Sequence, residues 1–93
     1  MTHTLRIQIR DSDGAVLRAL GLIERRCYRL RSCVIGEADD GGRTMDVNVS
    51  SSRPGDLLKR QLERLHDVMK VELQPAAVAD ARHSAIRPLG RRN

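Results

Sequence analysis

The stretch "RDSDGAVLRALGLIERR", residues 10–26, places three oxygen-bearing side chains and a glycine just before an apolar helical run. Asp11, Ser12 and Asp13 are suited to accept hydrogen bonds from the free backbone N–H groups that open a helix. Gly14 has no Cβ and therefore allows a close approach to that backbone. Because the same N–H groups attract an anion such as a carboxylate, the stretch predicts a capped helix start that is also a candidate ligand site.

The remaining reactive side chains do not form a motif for metal binding or catalysis. His3, His66 and His83 are scattered, and neither a C-x-x-C nor an H-E-x-x-H spacing occurs. We therefore expect no metal ion and no cofactor. His66 is interpreted as a capping imidazole at a helix C-terminus and the two aspartates of the stretch as helix caps, which leaves no candidate catalytic residue.

The cysteines and the apolar segments bear on the cellular compartment. Cys27 and Cys33 lie six residues apart on a predicted strand, which separates them by ~20 Å and excludes a disulfide between them. No apolar run reaches the roughly 20 residues that span a bilayer, and the opening "MTHTLRIQIR" lacks the apolar centre of a secretory signal. We expect a cytoplasmic protein with reduced thiols and no membrane contact.

The spacing of hydrophobic residues predicts six elements. In chain order they are a strand over 5–10, a helix that begins near 14, a strand over 28–35, a strand over 44–49, a helix from about 55 that ends near His66, and a strand over 69–73. The segment "EADDGGR" predicts a hairpin turn between the second and third strands. The alternation within the second strand predicts two faces. One face has Tyr28, Leu30, Ser32 and Val34, and the other has Arg29, Arg31, Cys33 and Ile35.

The order β-α-β-β-α-β within about 70 residues is typical of the α+β class with a ferredoxin-like fold, a four-stranded antiparallel sheet with two helices on one face. We expect residues 1–74 to form this domain and the other face of the sheet to be polar. The core lacks Phe and Trp and is small. Such a domain often gains stability by association, and the weakly charged edge formed by Cys33, Val34 and Ile35 predicts a homodimer seam.

The net charge of +5 does not indicate a nucleic-acid-binding domain. Residues 75–93 carry +3 of this charge and leave +2 on residues 1–74. RNA-recognition domains of this topology stack bases on aromatic side chains of the central strands, where this sequence has Arg, Gln, Thr, Asp and Asn. We therefore do not expect a nucleic-acid partner. The segment 75–93 is rich in Ala, Pro and Arg and is predicted to be a disordered, basic C-terminal tail.

Two segments resemble the ACT domain family. "DGAVLRALGLIERR" is similar to the family's Gly-Ala-Leu followed by an apolar helix, and "QLERLHDVMKVEL" resembles its ending Gln-Leu-x-Lys-Leu-x-Asp-Val-x-x-Val. Within the family, the order and spacing over residues 4–74 resemble the small regulatory subunit of acetolactate synthase. A chain of this length resembles the short type, which has a single domain.

The resemblance implies a non-catalytic dimer that binds the thiamine-diphosphate-dependent large subunit and raises its activity in branched-chain amino-acid biosynthesis. It also implies an effector site for an amino acid, usually valine, between the loop after strand one and strand two of the partner protomer. The candidate effector residues are Asp11, Ser12, Asp13, Gly14, Ala15, Arg29 and Leu30. Asp11 and Arg29 stand where feedback-sensitive members have Asn, which predicts weak or absent valine binding.

Two other functions are compatible with the sequence. A stand-alone amino-acid-sensing ACT protein would control another enzyme or a transcription factor. A small structural or nucleic-acid accessory protein would act through the arginine-rich tail. Physical contact with an acetolactate synthase large subunit would distinguish a regulatory subunit of that enzyme from both of these alternatives.

Overall fold

The computed structural model describes residues 1–74 and divides them into four strands and two helices. The elements are β1 (Thr2–Ile9), α1 (Ala15–Arg25), β2 (Arg29–Ile35), β3 (Arg43–Ser50), α2 (Gly55–Glu63) and β4 (Val68–Gln74). The predicted βαββαβ order is confirmed, although α2 ends at Glu63 and not near His66. The tail predicted for residues 75–93 lies outside the described residues.

The four strands form one antiparallel sheet in the order β2-β3-β1-β4. In its centre, Leu5 of β1 lies between Val47 of β3 and Leu73 of β4. β2 is therefore an edge strand, as predicted, and β4 forms the other edge. The odd-numbered residues of β1 from Leu5 onward and those of β3 from Met45 onward are fully buried in the core.

The core is aliphatic apart from one tyrosine. Its buried residues are Leu5, Ile7, Ile9, Ala15, Ala19, Leu22, Ile23, Tyr28, Met45, Val47, Val49, Leu58, Leu62 and Val71. Tyr28 is 1% exposed, and its hydroxyl donates a hydrogen bond to the Pro54 carbonyl at 2.6 Å. Burial raises the pKa of this phenol. The hydrogen bond joins the segment before β2 to the segment that leads into α2.

A β-bulge in β2 changes which of its side chains face the core. Arg31 is an extra residue between Leu30 and Ser32, which pair with consecutive residues of β3. After the bulge the alternation is shifted by one position, so that Cys33 packs against the core in place of Ser32 or Val34. The predicted grouping of Tyr28, Leu30, Ser32 and Val34 on one face is therefore correct through Leu30 and wrong after it, because a strict period of two has no place for an inserted residue.

The opposite face of the sheet, which we call the open face, is polar as predicted. Arg6 of β1 donates from Nε to Asp46 Oδ1 of β3 at 2.9 Å. Along β4, Lys70 Nζ lies 3.4 Å from Glu72 Oε2. These charges are therefore paired with each other on the surface of the sheet.

The chain leaves α1 through a residue in the left-handed backbone conformation. Cys27 has a φ angle of +68°. Its N–H donates to the Glu24 carbonyl, and the N–H of Tyr28 donates to the Ile23 carbonyl, both at 3.1 Å. This pair of hydrogen bonds is a Schellman motif, in which the left-handed position is usually glycine.

Cys27→Gly is expected to raise the free energy of unfolding by about 1 kcal/mol, because glycine adopts this conformation without a Cβ clash. Cys27→Ala is the matched control, since it keeps the Cβ, and we expect a change below about 0.5 kcal/mol. Chemical denaturation measures both. Equal stability of the two variants would show that the left-handed backbone costs nothing here.

Candidate functional site

The loop between β1 and α1 contains most of the predicted effector residues. Gly14 is the N-cap of α1 with a φ angle of +77°, and no described side chain caps the helix. The Ser12 carbonyl accepts a hydrogen bond from the Ala15 N–H at 3.1 Å. The predicted capping role of the Asp11, Ser12 and Asp13 side chains is therefore wrong. Backbone atoms close the turn at Gly14, and the Asp11 and Ser12 side chains contact other elements.

The Ser12 hydroxyl donates to a carboxylate from a distant part of the chain. Its Oγ lies 2.9 Å from Asp67 Oδ1, and Arg18 Nε donates to Asp67 Oδ2 at 2.6 Å. Asp67 lies in the turn between α2 and β4, and its side chain is 9% exposed. The hydrogen bonds from Arg18 and Ser12 hold the pKa of the Asp67 carboxyl below its ordinary value. We call Ser12, Arg18 and Asp67 the Asp67 clamp, because they fix the loop to this turn.

Arg18 also covers the start of α1. Its Nη2 donates to the Asp13 carbonyl at 3.0 Å. A Cβ at Gly14 would lie 2.9 Å from Arg18 Nη1, which is the end of a flexible side chain, so the positive φ angle and not the space is what favours glycine here. The guanidinium is already paired with the Asp67 carboxylate, so it adds no uncompensated positive charge at the helix start. An anion at this position would therefore be attracted mainly by the backbone N–H groups.

Asp11 lies on the side of the loop that faces β3. Its Oδ1 is 3.8 Å from Arg43 Nη2, and its side chain is 60% exposed. The adjacent hollow of about 300 Å³ also contains Asp39, Asp40 and Met69. A carboxylate near this loop would therefore meet the negative charges of Asp39 and Asp40 in addition to that of Asp11.

Two predicted effector residues lie at the other end of the sheet. Arg29 begins β2 opposite Ser50, whereas the loop follows the end of β1 that pairs with Arg43. Ser50 and Arg43 are the two ends of β3, which are about 23 Å apart at 3.3 Å per residue. Within one protomer the structure brings residues 11–15 together and leaves Arg29 and Leu30 apart from them.

The predicted dimer seam lies on the free edge of β2. Val34 is 51% exposed and Ile35 is 41% exposed. Cys33 is half-buried, and this burial raises the pKa of its thiol. Cys27 and Cys33 are both free. Apolar side chains beside an unpaired strand edge form a surface suited to pairing with another strand.

The site also contains three residues that no sequence pattern indicated: Asp67, Arg18 and Arg43. Asp67 is 55 residues from Ser12 and 49 residues from Arg18. No local pattern connects residues so far apart. The one sequence signal for Asp67 was its place in the segment "QLERLHDVMKVEL", which resembles the ending of the ACT family. That signal indicated the family and not the contact with Ser12.

Residues 1–74 contain no group of three or more His, Cys, Asp or Glu side chains that could hold a metal ion. In the same range, no helix combines the length and apolar character needed to cross a membrane. The loop and the strand edges can therefore bind a ligand or a partner through hydrogen bonds, charges and apolar contacts.

The domain has a ferredoxin-like α+β fold, because it combines a four-stranded antiparallel sheet with two helices. Its polar loop at the start of the first helix is held by hydrogen bonds to Asp67. The sequence pattern of the ACT domain matches residues 11–71. The chain belongs to the ACT domain family.

The chain is also similar in sequence to acetolactate synthase small subunits. It is 31% identical over 90 residues to that of Mycobacterium bovis, and this alignment covers 95% of the chain and 51% of the relative. The identity to the small subunit of Mycobacterium leprae is 30% over 87 residues, with 91% of the chain and 52% of the relative covered. The chain thus spans about half the length of these relatives.

Solved structures show the same fold. The acetolactate synthase small subunit from Thermotoga maritima superposes with a TM-score of 0.72 at 19% identity, covering 82% of this chain and 49% of that one. The ACT domain from GTP pyrophosphokinase of Chlorobium tepidum superposes with a TM-score of 0.67 at 24% identity, covering 80% and 97%. At these identities the likeness establishes the fold alone.

Proposed function

We propose that this chain is a non-catalytic regulatory subunit of acetolactate synthase. It binds the thiamine-diphosphate-dependent large subunit in the cytoplasm and raises its activity in branched-chain amino-acid biosynthesis. The observation that carries this proposal is the 31% identity to an acetolactate synthase small subunit along 95% of the chain. The free edge of β2 and the polar surfaces of the described residues are suited to a protein that acts by binding another protein.

The proposal includes a homodimer formed through β2. Two β2 edges related by a twofold axis pair antiparallel, so that the start of one strand lies beside the end of the other. The exposed Val34 and Ile35 side chains lie on this edge and support the proposal. Sedimentation at micromolar concentration tests it, and a monomer as the only species would contradict it.

The candidate effector site rests on this dimer. Arg29 and Leu30 lie at the start of β2, and the β1–α1 loop lies at the end of the sheet where β2 finishes. Antiparallel pairing therefore brings these two residues of one protomer toward residues 11–15 of the other. Because Asp11 and Arg29 replace the amides of feedback-sensitive members, we expect at most weak valine binding. Micromolar affinity in calorimetry would contradict this expectation.

The activation itself is tested with the purified large subunit. The chain alone is expected to form no acetolactate from pyruvate, and its addition is expected to raise the rate of the large subunit in a saturable way. The ACT domain of Chlorobium tepidum GTP pyrophosphokinase shares the fold and is the matched control. We expect no activation by that domain.

Two results would contradict the proposed function. Turnover of pyruvate by the chain alone would show that it is catalytic. Failure to bind or activate the large subunit, together with tight binding of an amino acid, would favour a stand-alone sensor that controls another protein.

A further inference from the structure

The backbone of β2 presents the N–H and C=O groups of alternate residues at its free edge. Just beyond the strand, the Gly36 N–H donates to the Thr44 carbonyl at 2.8 Å, so these two residues form a hydrogen-bonded pair. Such pairs alternate with non-hydrogen-bonded pairs along an antiparallel ladder. Val34, two residues earlier, is therefore also bonded to β3, whereas Cys33 and Ile35 direct their N–H and C=O groups away from it. These two residues are the ones that a further strand can bond.

The bulge at Arg31 determines where a second copy of β2 can pair regularly. After the bulge, residues 32–36 form a regular segment in which each residue lies opposite one residue of β3. At the bulge itself a residue is left unpaired and the ladder is disrupted. In an antiparallel pair around a twofold axis, the residue on the axis lies opposite its own copy. An axis at Val34, the middle of the regular segment, is therefore the one that pairs this segment with itself over its whole length.

This axis also gives the exposed apolar side chains of the edge matching partners. Val34, which is 51% exposed, then lies opposite Val34 of the second copy, and Ile35, which is 41% exposed, lies opposite Cys33. An axis at Cys33 would instead place Val34 opposite Ser32. Because cross-strand contacts between apolar side chains stabilise a sheet, the axis at Val34 is favoured.

The charges at the two ends of β2 fit the same arrangement. Arg29 and Arg31 lie at its start, and neither forms an ion pair within residues 1–74. The segment that follows its end contains Glu37, Asp39 and Asp40. Antiparallel pairing places the basic start of one copy beside the acidic segment of the other, at both ends of the seam. This complementarity favours a second copy of the chain as the partner of this edge.

The axis at Val34 also sets the position of Arg29 and Leu30 of the second copy. Along β3, Leu30 lies three positions from Val34 on the side toward Ser50. The twofold axis places the second copy's Leu30 three positions away on the other side, at the level of Arg43, and its Arg29 one position further. Arg43 pairs with the last residue of β1, after which the β1–α1 loop begins. An axis one residue earlier would leave both residues about 6.6 Å short of this level, at about 3.3 Å per residue.

We propose that two copies of the chain pair along β2 with the twofold axis at Val34, and that this register completes the candidate effector site with Arg29 and Leu30 of the second copy. This inference rests on the homodimer of the proposed function and assigns its register. Neither residue can complete the site of its own protomer, because the two ends of β3 are about 23 Å apart.

Disulfide cross-linking tests the register. In a background of Cys27→Ser and Cys33→Ser, Val34→Cys is expected to link two copies almost completely when a thiol oxidant such as diamide is added. Because Val34 is bonded to β3, it forms a non-hydrogen-bonded pair with its own copy, and the opposed Cα atoms are about 4.5 Å apart, within disulfide reach. The link is read on a non-reducing gel and is reversed by dithiothreitol.

Cys33 as the single cysteine is the matched control. In the variant Cys27→Ser, Cys33 lies opposite Ile35 of the second copy, so that the two Cys33 Cα atoms are about 8 Å apart and beyond disulfide reach. We therefore expect almost no linked dimer. Efficient linking of Cys33, with none through Val34→Cys, would place the axis at Cys33 and overturn the proposed register.

A charge exchange tests the choice of partner. Glu37→Arg and the double change Arg29→Glu with Arg31→Glu each place like charges at both ends of the seam, and each is expected to weaken the homodimer by about tenfold. An equal mixture of the two variants restores opposite charges and should form a mixed dimer about as tight as the wild type. Arg64→Glu, exposed at the end of α2 and on the β4 side of the domain, should leave dimerisation unchanged. A mixture as weak as its two components would show that these charges do not meet and would contradict the proposal.

The outcomes separate this inference from the proposed function. All of these measurements use the full chain without the large subunit, with melting temperature and sedimentation recorded for every variant. A dimer in which neither cysteine links would show that another surface forms the seam and would overturn the register, while activation of the large subunit would still support the proposed function. Linking through Val34→Cys supports the register whether or not the large subunit is activated.

Discussion

Gly42→Ala is expected to lower the free energy of unfolding by about 3 kcal/mol, because two costs act at this one position. Gly42 has a φ angle of +96°. A Cβ there would overlap the Ile9 carbonyl oxygen at the end of β1 and would lie 2.7 Å from the Met69 methyl carbon. The Ile9 oxygen belongs to the backbone of β1, one of the two inner strands, and has little freedom to move away. Thermal unfolding should show a melting temperature lower by more than about 10 °C.

The adjacent glycine provides the control for this effect. Gly41 belongs to the same hairpin turn, and a Cβ there would lie at an ordinary 3.5 Å from Asp39 Oδ1. Gly41→Ala should therefore change the free energy of unfolding by less than about 0.5 kcal/mol. If both variants lowered the free energy of unfolding by a similar amount, alanine would be unfavourable throughout the turn, and the contact with Ile9 would not be the cause.

Asp67→Asn is expected to be the second strongly destabilising change. The carboxylate accepts the 2.6 Å hydrogen bond from Arg18 and the 2.9 Å hydrogen bond from Ser12 while being largely buried. An amide of the same shape has no charge for Arg18 and one oxygen fewer to accept hydrogen bonds. We expect a lower melting temperature and faster hydrogen exchange at the N–H groups of the β1–α1 loop, measured by NMR.

The effect of pH tests the same group. The pKa of Asp67 in the folded protein is below its ordinary value of 3.8. The ionised carboxylate therefore contributes stability that is fully present above the ordinary value and is lost as the pH falls through the lower, folded value. The difference in melting temperature between wild type and Asp67→Asn should be constant near neutral pH and should shrink in this acidic range.

Asp40→Asn is the control for the pH experiment. Asp40 is exposed in the hairpin turn and forms no ion pair with the other described residues. Its variant should melt like the wild type across the same pH range. A pH-independent difference for Asp67→Asn would instead indicate that the amide disturbs packing and that the charge has no part in the effect.

The sequence by itself determined the architecture of this protein. Alternation in β1 and helical spacing in α1 need only residues that are near each other in the chain, and these patterns identify each element. The order βαββαβ then leaves few ways to cover one face of a sheet. The same patterns identified β2 as an edge strand and the opposite face of the sheet as polar, and both predictions are confirmed.

The tertiary structure alone decided the details that matter for binding. Asp67 reaches Ser12 across 55 residues, and this contact replaced the local capping that the sequence predicted for the loop. The bulge at Arg31 depends on how β2 pairs with β3, so a period of two could not reveal it. In both cases the deciding partner lies on another element, and local periodicity carries no information about which distant side chains will meet.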